Sequence, residues 1–340
     1  INPENTDLLN FQQIKDYLSF VAPVPYQNCF LYRSEIYKHA KDIGTRIDEY
    51  TVRFNGEQIF KKYITILKDP SGNKYDDIFG VHFKDFYDIN GQLIMWMWVG
   101  LSKFQKAIPK VNQMRGLRLR KENIQIGGED SLQKLFKEDR GNGYFVGEVF
   151  AIDKDLIPNS QRDYFKENPM RVIFEHELRK YFNDELKKIY YDGSTINNSY
   201  KKIENYKKKE TEFNMRETSD FFVDTDHRER ELNVVLEAKK VAETEQTKIE
   251  RMKDKANPLM QQVIKRIENT WPNPAITMTS VSLDTDLLEE DPKPPRRTDR
   301  LSQYSKNERK LISKIFSIIF AATESKNAEY IVSKIEEGLQ

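Results

Sequence analysis

A polar loop near the middle of the chain combines residue types that recognise anions. Asn159, Gln161 and Arg162 stand close together there, at the end of the stretch from Gly116 to Asp163. An arginine side chain is permanently charged, and its planar guanidinium matches the oxygens of a phosphate group. These residue types suit a phosphate contact made by Arg162, but taken alone they favour an alternative. The alternative is a helix cap, in which Asn159 or Ser160 caps a following helix and Arg162 lies in solvent.

No phosphate-binding loop accompanies that arginine in the sequence. The chain has no Walker A loop, no G-x-G-x-x-G fingerprint and no G-x-S-x-G nucleophile elbow. Its four histidines are scattered and Cys29 is its single cysteine, so the sequence predicts no metal site. We expect any phosphate that Arg162 contacts to be held by another domain or another chain.

A second group of cations lies on a predicted strand upstream of the loop. These cations alternate with Leu117 and Leu119, and they are Arg115, Arg118, Arg120 and Lys121. One interpretation is a contact with nucleic-acid phosphates. The other is a solvated strand edge whose leucines face the core. We favour the solvated edge, because no exposed aromatic residues alternate with these cations as they do where single strands stack.

The composition indicates globular regions joined to long, solvated helices. Of the 340 residues, 32% are charged and 38% are hydrophobic, and the formal net charge is +1. This balance provides no overall attraction to nucleic acid or to a membrane. A single cysteine fits a reducing cytoplasm, and no apolar run is long enough to cross a bilayer. Because the first residue is Ile1 rather than Met, we expect the chain to be part of a longer protein.

Hydrophobic patterns predict a mixed α+β or α/β module over residues 46–190, preceded by a connector over residues 1–45. The connector contains a helix, DLLNFQQIKDYLSFV, which Asp7 is placed to cap. Within the module, Asn90-Gly91 separates two apolar runs and predicts a hairpin. Trp96 and Trp98 are two residues apart on the second run, so they share one face and are predicted to pack in the core.

The remainder of the chain is predicted to be helical, with one interruption. Residues 191–271 form a charged arm in which apolar residues recur every seven positions, as in a coiled coil: Val235, Ala242, Ile249, Ala256 and Val263. Pro258 interrupts this pattern, which predicts two helices in a hairpin or a bundle rather than one uniform rod. Residues 272–304 are rich in proline and are predicted to form a mobile linker. Residues 305–340 return to a helical pattern and predict a small docking or dimerising element.

The stretch from Gly116 to Asp163 resembles the middle domain of the heat-shock-ninety chaperones. These chaperones belong to the GHKL ATPases, together with gyrase B, MutL and the MORC proteins. The segments that carry the resemblance are Leu117 to Lys121, Ile124 to Ile126, Leu132 to Phe136, Phe145 to Asp153 and Asp155 to Asp163. The last segment matches the family's Asp-Leu-Pro-Leu-Asn-x-Ser-Arg-Glu loop without gaps. The resemblance covers about fifty residues, and the family's nucleotide-binding motifs are absent from the chain.

The resemblance implies a ribosomal-S5-domain-2-like fold and a role for Arg162. It implies that Arg162 reaches the γ-phosphate of ATP in cis, that Asn159 and Gln161 support its loop, and that this chain alone is inactive. The partners implied are an N-terminal GHKL nucleotide-binding domain that holds ATP and Mg²⁺, a second copy in a homodimer, and a client protein. Two alternatives remain open: the transducer of a DNA-acting GHKL ATPase that uses the basic strand, and a non-catalytic coiled-coil scaffold.

Overall fold

The chain folds into two compact units, seen here in a computed structural model. The structure describes residues 10–219, 221–271, 301, 303–323 and 325–339. The first unit comprises Ile1–Asn197 and Ala256–Ile267, and the second comprises Asn198–Lys255 and Glu268–Gln340. The boundary at residue 197 lies close to the predicted end of the mixed module. The predicted arm over residues 191–271 is nevertheless divided, because its last helical segment belongs to the first unit.

The first unit is a mixed α+β structure, as predicted. Its strands are β1 (Arg53–Phe54), β2 (Glu57–Gln58), β3 (Ile66–Lys68), β4 (Lys74–Asp77), β5 (Gly80–Tyr87), β6 (Leu93–Leu101), β7 (Gly116–Lys121), β8 (Ile124–Ile126) and β9 (Val146–Ala151). The last five form one sheet in the order β5-β6-β9-β7-β8, in which only β7 and β9 are parallel. Strand β7 is therefore an interior strand of this sheet and not a solvated edge.

Strand β6 is central because it is apolar almost throughout and is covered on both faces. Trp96 and Trp98 are fully buried on one face, which confirms the predicted core position. The predicted hairpin before this strand is also confirmed, since β5 and β6 pair antiparallel across the turn at Gly91, whose φ is 77°. On the opposite face, Phe86 contacts Tyr181 with a ring-centroid distance of 5.6 Å.

Eight α-helices occur in the described part of the chain, and several of them cover the sheet. They are α1 (Phe11–Val21), α2 (Arg33–Asp42), α3 (Pro169–Tyr181), α4 (Lys187–Thr218), α5 (Thr225–Asp254), α6 (Pro258–Glu268), α7 (Lys306–Ala322) and α8 (Ser325–Leu339). A π-helical turn, Phe182–Leu186, joins α3 to α4.

Residues 10–45 are part of the main core rather than a separate connector. Phe20 of α1 and Ile36 of α2 are buried in the same apolar cluster as Trp96 and Trp98. The side chain of Asn10 caps α1 by accepting a hydrogen bond from the backbone N–H of Gln13. The predicted cap, Asp7, lies outside the described residues.

Helices α4 and α5 form a hairpin whose connection follows Thr218, whereas the predicted division of the arm lies at Pro258. Helices α4 and α5 are antiparallel, since Ser199 Oγ donates to Glu245 Oε2 over 2.6 Å at one end and Arg228 pairs with Glu217 at 2.8 Å at the other. The seven-residue pattern is buried at Val235, Ala242 and Ile249 in α5. Pro258 begins a new helix, as expected for a residue that cannot continue the previous one.

The C-terminal element is helical, as predicted. Helices α7 and α8 pack around Phe316 and Val332, which form a small core with Phe221. The predicted linker over residues 272–304 lies almost entirely outside the described residues. None of the described helices combines the length and the apolarity needed to cross a membrane.

Candidate functional site

The loop that carries Arg162 is a short, hydrogen-bonded turn rather than a helix cap. The backbone N–H of Asn159 donates to the carbonyl of Tyr164 over 2.9 Å, and that of Lys166 donates to Ile157 over 2.9 Å. Helix α3 begins only at Pro169, and its cap is Asn168, whose side chain accepts from the N–H of Arg171. The alternative in which Asn159 or Ser160 caps the following helix is therefore wrong.

Arg162 has a left-handed backbone conformation at the tip of this turn. Its φ is 56°, and its N–H donates to the carbonyl of Asn159 over 3.1 Å. This region is uncommon for a residue with a side chain as large as arginine. A conformation of this kind costs of order 1–3 kcal/mol and persists only where the surrounding structure fixes it. Such outliers are concentrated at functional sites. Of the five non-glycine residues with positive φ in the described part of the chain, Arg162 is the one that carries a cation, so its turn is a candidate for such a site.

Gly127 joins a second loop to this turn and fixes the position of Arg162. Its N–H donates to the carbonyl of Arg162 over 2.8 Å, and its own φ is 66°. A Cβ atom on Gly127 would clash with the carbonyl oxygen of Asp163 and with Ser131 Oγ. The sequence indicated only a turn at Gly127-Gly128 and did not predict its pairing with the arginine loop.

We expect Gly127→Ala to destabilise the fold by about 1–3 kcal/mol, because alanine is strained at positive φ and has no room here. Urea denaturation measures the change. Gly72→Ala is the matched control: Gly72 also has positive φ, 87°, but no atom lies within 4 Å of its Cβ position. Equal losses in the two variants would show that Gly127 has no special role in positioning the turn.

The guanidinium of Arg162 is available to a ligand. The side chain is exposed, and it makes no hydrogen bond or ion pair with any described residue. The nearby Arg171 is instead fully engaged: it pairs with Glu175 at 3.1 Å and donates to the carbonyl of Phe165 over 3.0 Å. The backbone of Arg162 is therefore held by the turn, while its guanidinium is exposed and unpaired.

The two supporting residues predicted for the loop behave differently. Asn159 does support it, since its Nδ2 donates to Asp163 Oδ1 over 2.5 Å across the turn. Gln161 is exposed and its side chain makes no hydrogen bond with the described residues. The predicted supporting role therefore fits Asn159 but not Gln161.

The basic strand is not a surface patch. Arg118 is 4% exposed and Arg120 is 0% exposed, because β7 lies inside the sheet. Lys121 is partly buried and donates to the carbonyl of Asp153 over 2.6 Å. Arg115 alone borders a solvent-filled cleft. The burial of Arg118 and Arg120 rules out their contact with nucleic acid in this fold, and it also corrects the favoured interpretation of a solvated edge.

Arg120 belongs instead to a buried charge network centred on Glu148 of β9. Arg120 Nε donates to Glu148 Oε1 over 2.5 Å, and Lys61 Nζ donates to Glu148 Oε2 over 3.0 Å. Three aromatic donors complete the shell of the carboxylate: the hydroxyls of Tyr26 and Tyr63 and the indole N–H of Trp98. Lys61, Arg120 and Glu148 are all 0% exposed.

The network holds Glu148 ionised and makes Lys61 easy to deprotonate. Burial is the largest single effect and raises the pKa of Glu148, but the charges of Arg120 and Lys61 and the hydrogen bonds from Tyr26 and Lys61 together outweigh it and lower this pKa to about 2. Burial and the charge of Arg120 together lower the pKa of Lys61 to about 7, although Glu148 opposes them. A carboxylate that has two cationic partners and several donors is well compensated inside a protein.

Glu148 therefore predicts a specific acid sensitivity. Its pKa is lower in the folded chain than the ordinary value of 4.5, so the stabilisation is complete above pH 4.5 and is lost as the pH falls towards 2. The loss expected from this group is about 3 kcal/mol. Urea denaturation along this pH range should show a shallower decline for Glu148→Gln than for the parent chain. Glu167→Gln, at a side chain that is 93% exposed, is the control and should leave the slope unchanged.

Sequence reasoning missed this network, although one signal pointed to it. Glu148 interrupts the apolar strand VGEVFA, and a carboxylate in such a strand requires a buried cation. The residues that supply the cations and donors come from positions as distant in sequence as 26, 61 and 120. Comparison with family models, curated proteins and solved structures finds no match to this chain.

Proposed function

We propose that this chain is the middle, or transducer, part of a GHKL ATPase similar to the heat-shock-ninety chaperones. In this proposal Arg162 completes the ATP site of a nucleotide-binding domain in cis. The observation that carries it is the unpaired guanidinium of Arg162 on a turn held by its own backbone hydrogen bonds and by Gly127. The five-stranded sheet would be the core of a ribosomal-S5-domain-2-like module that positions this turn towards the nucleotide.

The chemistry required of Arg162 is electrostatic. Phosphoryl transfer concentrates negative charge on the oxygens of the transferred group, and a positioned guanidinium stabilises that charge. Because the arginine acts only when the two domains meet, domain closure and hydrolysis become coupled. Because the backbone of the turn is fixed, only the Arg162 side chain would have to be ordered when the phosphate arrives.

The nucleotide and its metal ion are assigned to the other domain. Among the described residues, no group of three or more histidine, cysteine, aspartate or glutamate side chains is arranged to hold a metal ion. In this proposal ATP and Mg²⁺ are bound by the nucleotide-binding domain, and this chain adds only the arginine. A homodimer, a client protein and a cytoplasmic location complete the proposal.

The alternatives make different use of the same structure. A DNA-acting relative would need a basic surface, and burial removes Arg118 and Arg120, two of the four residues that suggested one. A coiled-coil scaffold would use the α4–α5 hairpin and would require nothing of Arg162. The behaviour of Arg162 in an ATPase assay therefore separates the chaperone-like proposal from the scaffold.

The proposal is tested by assaying ATP hydrolysis with and without the nucleotide-binding domain. We expect the chain alone to hydrolyse no ATP, because one arginine cannot bind a nucleotide and activate water. The full-length polypeptide should hydrolyse ATP. Hydrolysis by the chain alone would overturn the proposal, and so would a full-length polypeptide that neither binds nor hydrolyses ATP.

A further inference from the structure

A cleft separate from the Arg162 turn lies between strand β5 and the end of helix α3. Its volume is about 420 Å³, and the π-helical turn after α3 forms part of its wall. A π-helical turn is rare and is frequently found at functional sites. We call it the acidic–aromatic cleft, after its residues Phe86, Tyr181, Glu177, Asp184 and Lys84.

The floor of the cleft is aromatic and already attracts a cation. Phe86 and Tyr181 are 5% and 7% exposed and meet edge to face, with an interplanar angle of 85°. Lys84 Nζ lies 5.7 Å from the ring centroid of Phe86 and 5.9 Å from that of Tyr181. An ammonium group within about 6 Å of an aromatic ring is attracted by the negative face of the ring.

The walls of the cleft carry more negative than positive charge. Its lining residues include four acids, against the two lysines Lys84 and Lys180, although the Asp85 carboxylate lies on the opposite face of β5 from Phe86. Two of these carboxylates are engaged: Asp85 with His39 at 2.8 Å and Glu185 with the side chain of Asn257 at 3.3 Å. The other two, Glu177 and Asp184, have no hydrogen bond or ion pair with any described residue. They are placed to accept a cation.

An unpaired hydroxyl provides a further reason to expect a ligand here. The Tyr181 side chain lines the cleft, yet its hydroxyl is buried and has no hydrogen-bond partner among the described residues. A buried hydroxyl without a partner costs about 1–3 kcal/mol. A donor that enters the cleft and shifts the ring slightly would remove that cost.

We propose that the acidic–aromatic cleft binds an alkylammonium group, carried by a lysine side chain of a polypeptide or by a free polyamine. The ammonium pairs with Glu177 and Asp184, and its methylene chain lies across Phe86 and Tyr181. A metal ion fits less well, because the floor is apolar and the described carboxylates form no metal-ligating group. This inference is independent of the role proposed for Arg162.

The test is a titration of the chain with N-acetyl-lysine methylamide, followed by NMR. We expect a Kd of the order of 1 mM, as for a single charged side chain in a half-open cleft. The double variant Glu177→Gln/Asp184→Asn should weaken binding by about tenfold or more, and Tyr181→Phe should weaken it less. Lys84→Met should strengthen binding by a few-fold, because it removes the resident cation. Glu167→Gln, an exposed acid near the start of α3, is the matched control and should change nothing.

The uncharged analogue N-acetyl-norleucine methylamide separates charge recognition from apolar binding. Equal binding of the two probes, or unchanged binding by the double variant, would overturn the proposal. No binding of any amine in the millimolar range would do so as well. Titration with spermidine and with a lysine-containing peptide then identifies the source of the group, since the physiological ligand should bind more tightly than the methylamide. Binding of either amine would neither support nor contradict the proposal for Arg162, which is tested separately by ATP hydrolysis.

Discussion

Arg162→Ala in the full-length polypeptide is expected to lower the rate of ATP hydrolysis by about 10²–10³-fold, with little change in ATP affinity. In the proposed role the guanidinium would act on charge that develops only during phosphoryl transfer, so its loss should affect turnover more than binding. Lysine at this position should restore only part of the rate, since its ammonium lacks the bidentate geometry of arginine. Steady-state ATPase assays and nucleotide titrations measure the two effects separately.

Two further variants distinguish the loss of the Arg162 charge from a loss of folded structure. Arg162→Gly removes the same charge but suits the φ of 56°, so it should be as stable as the parent chain and still inactive. Arg46→Ala removes an arginine whose side chain is 87% exposed and should leave turnover unchanged. If Arg162→Gly retained full activity, Arg162 would have no part in hydrolysis.

Glu148→Ala is expected to destabilise the chain by about 3–5 kcal/mol, because it leaves Arg120 and Lys61 buried without a counter-charge. This loss is a large fraction of the stability of a typical domain. Urea denaturation can be followed by tryptophan fluorescence, since the Trp98 indole is itself a donor to Glu148. A loss below about 1 kcal/mol would show that the network contributes little to stability.

A milder variant keeps this prediction testable if Glu148→Ala does not fold. Lys61→Met removes one cation and leaves Glu148 with Arg120, Tyr26 and Tyr63 as partners. Because burial already disfavours the charge on Lys61, this variant should cost clearly less than the loss of Glu148. A larger loss for Lys61→Met than for a folded Glu148→Gln variant would contradict the arrangement.

Local patterns predicted the elements of this fold better than their assembly. The Asn90-Gly91 turn, the apolar strand with Trp96 and Trp98, and the break at Pro258 were all predicted from short-range sequence, because turn chemistry and periodicity act locally. The interior position of β7 in the sheet was not predicted. Alternating arginine and leucine is the pattern of a half-exposed strand, and only its position between β9 and β8 buries both sets of side chains.

The candidate site shows the same division. Residue types and local patterns predicted that Arg162 lies in a loop before α3, and the phosphate contact that they suggested for it remains a proposal. Three further features become visible only in the folded chain. The loop is a closed turn, and a hydrogen bond from Gly127 holds it. Arg162 remains unpaired, whereas Arg120 is paired with Glu148. This division arises because the residue type fixes only the charge and the hydrogen-bonding groups of a side chain. Whether a side chain can contact a ligand depends on its burial and on its hydrogen-bond and ion-pair partners, which come from segments far apart in the chain.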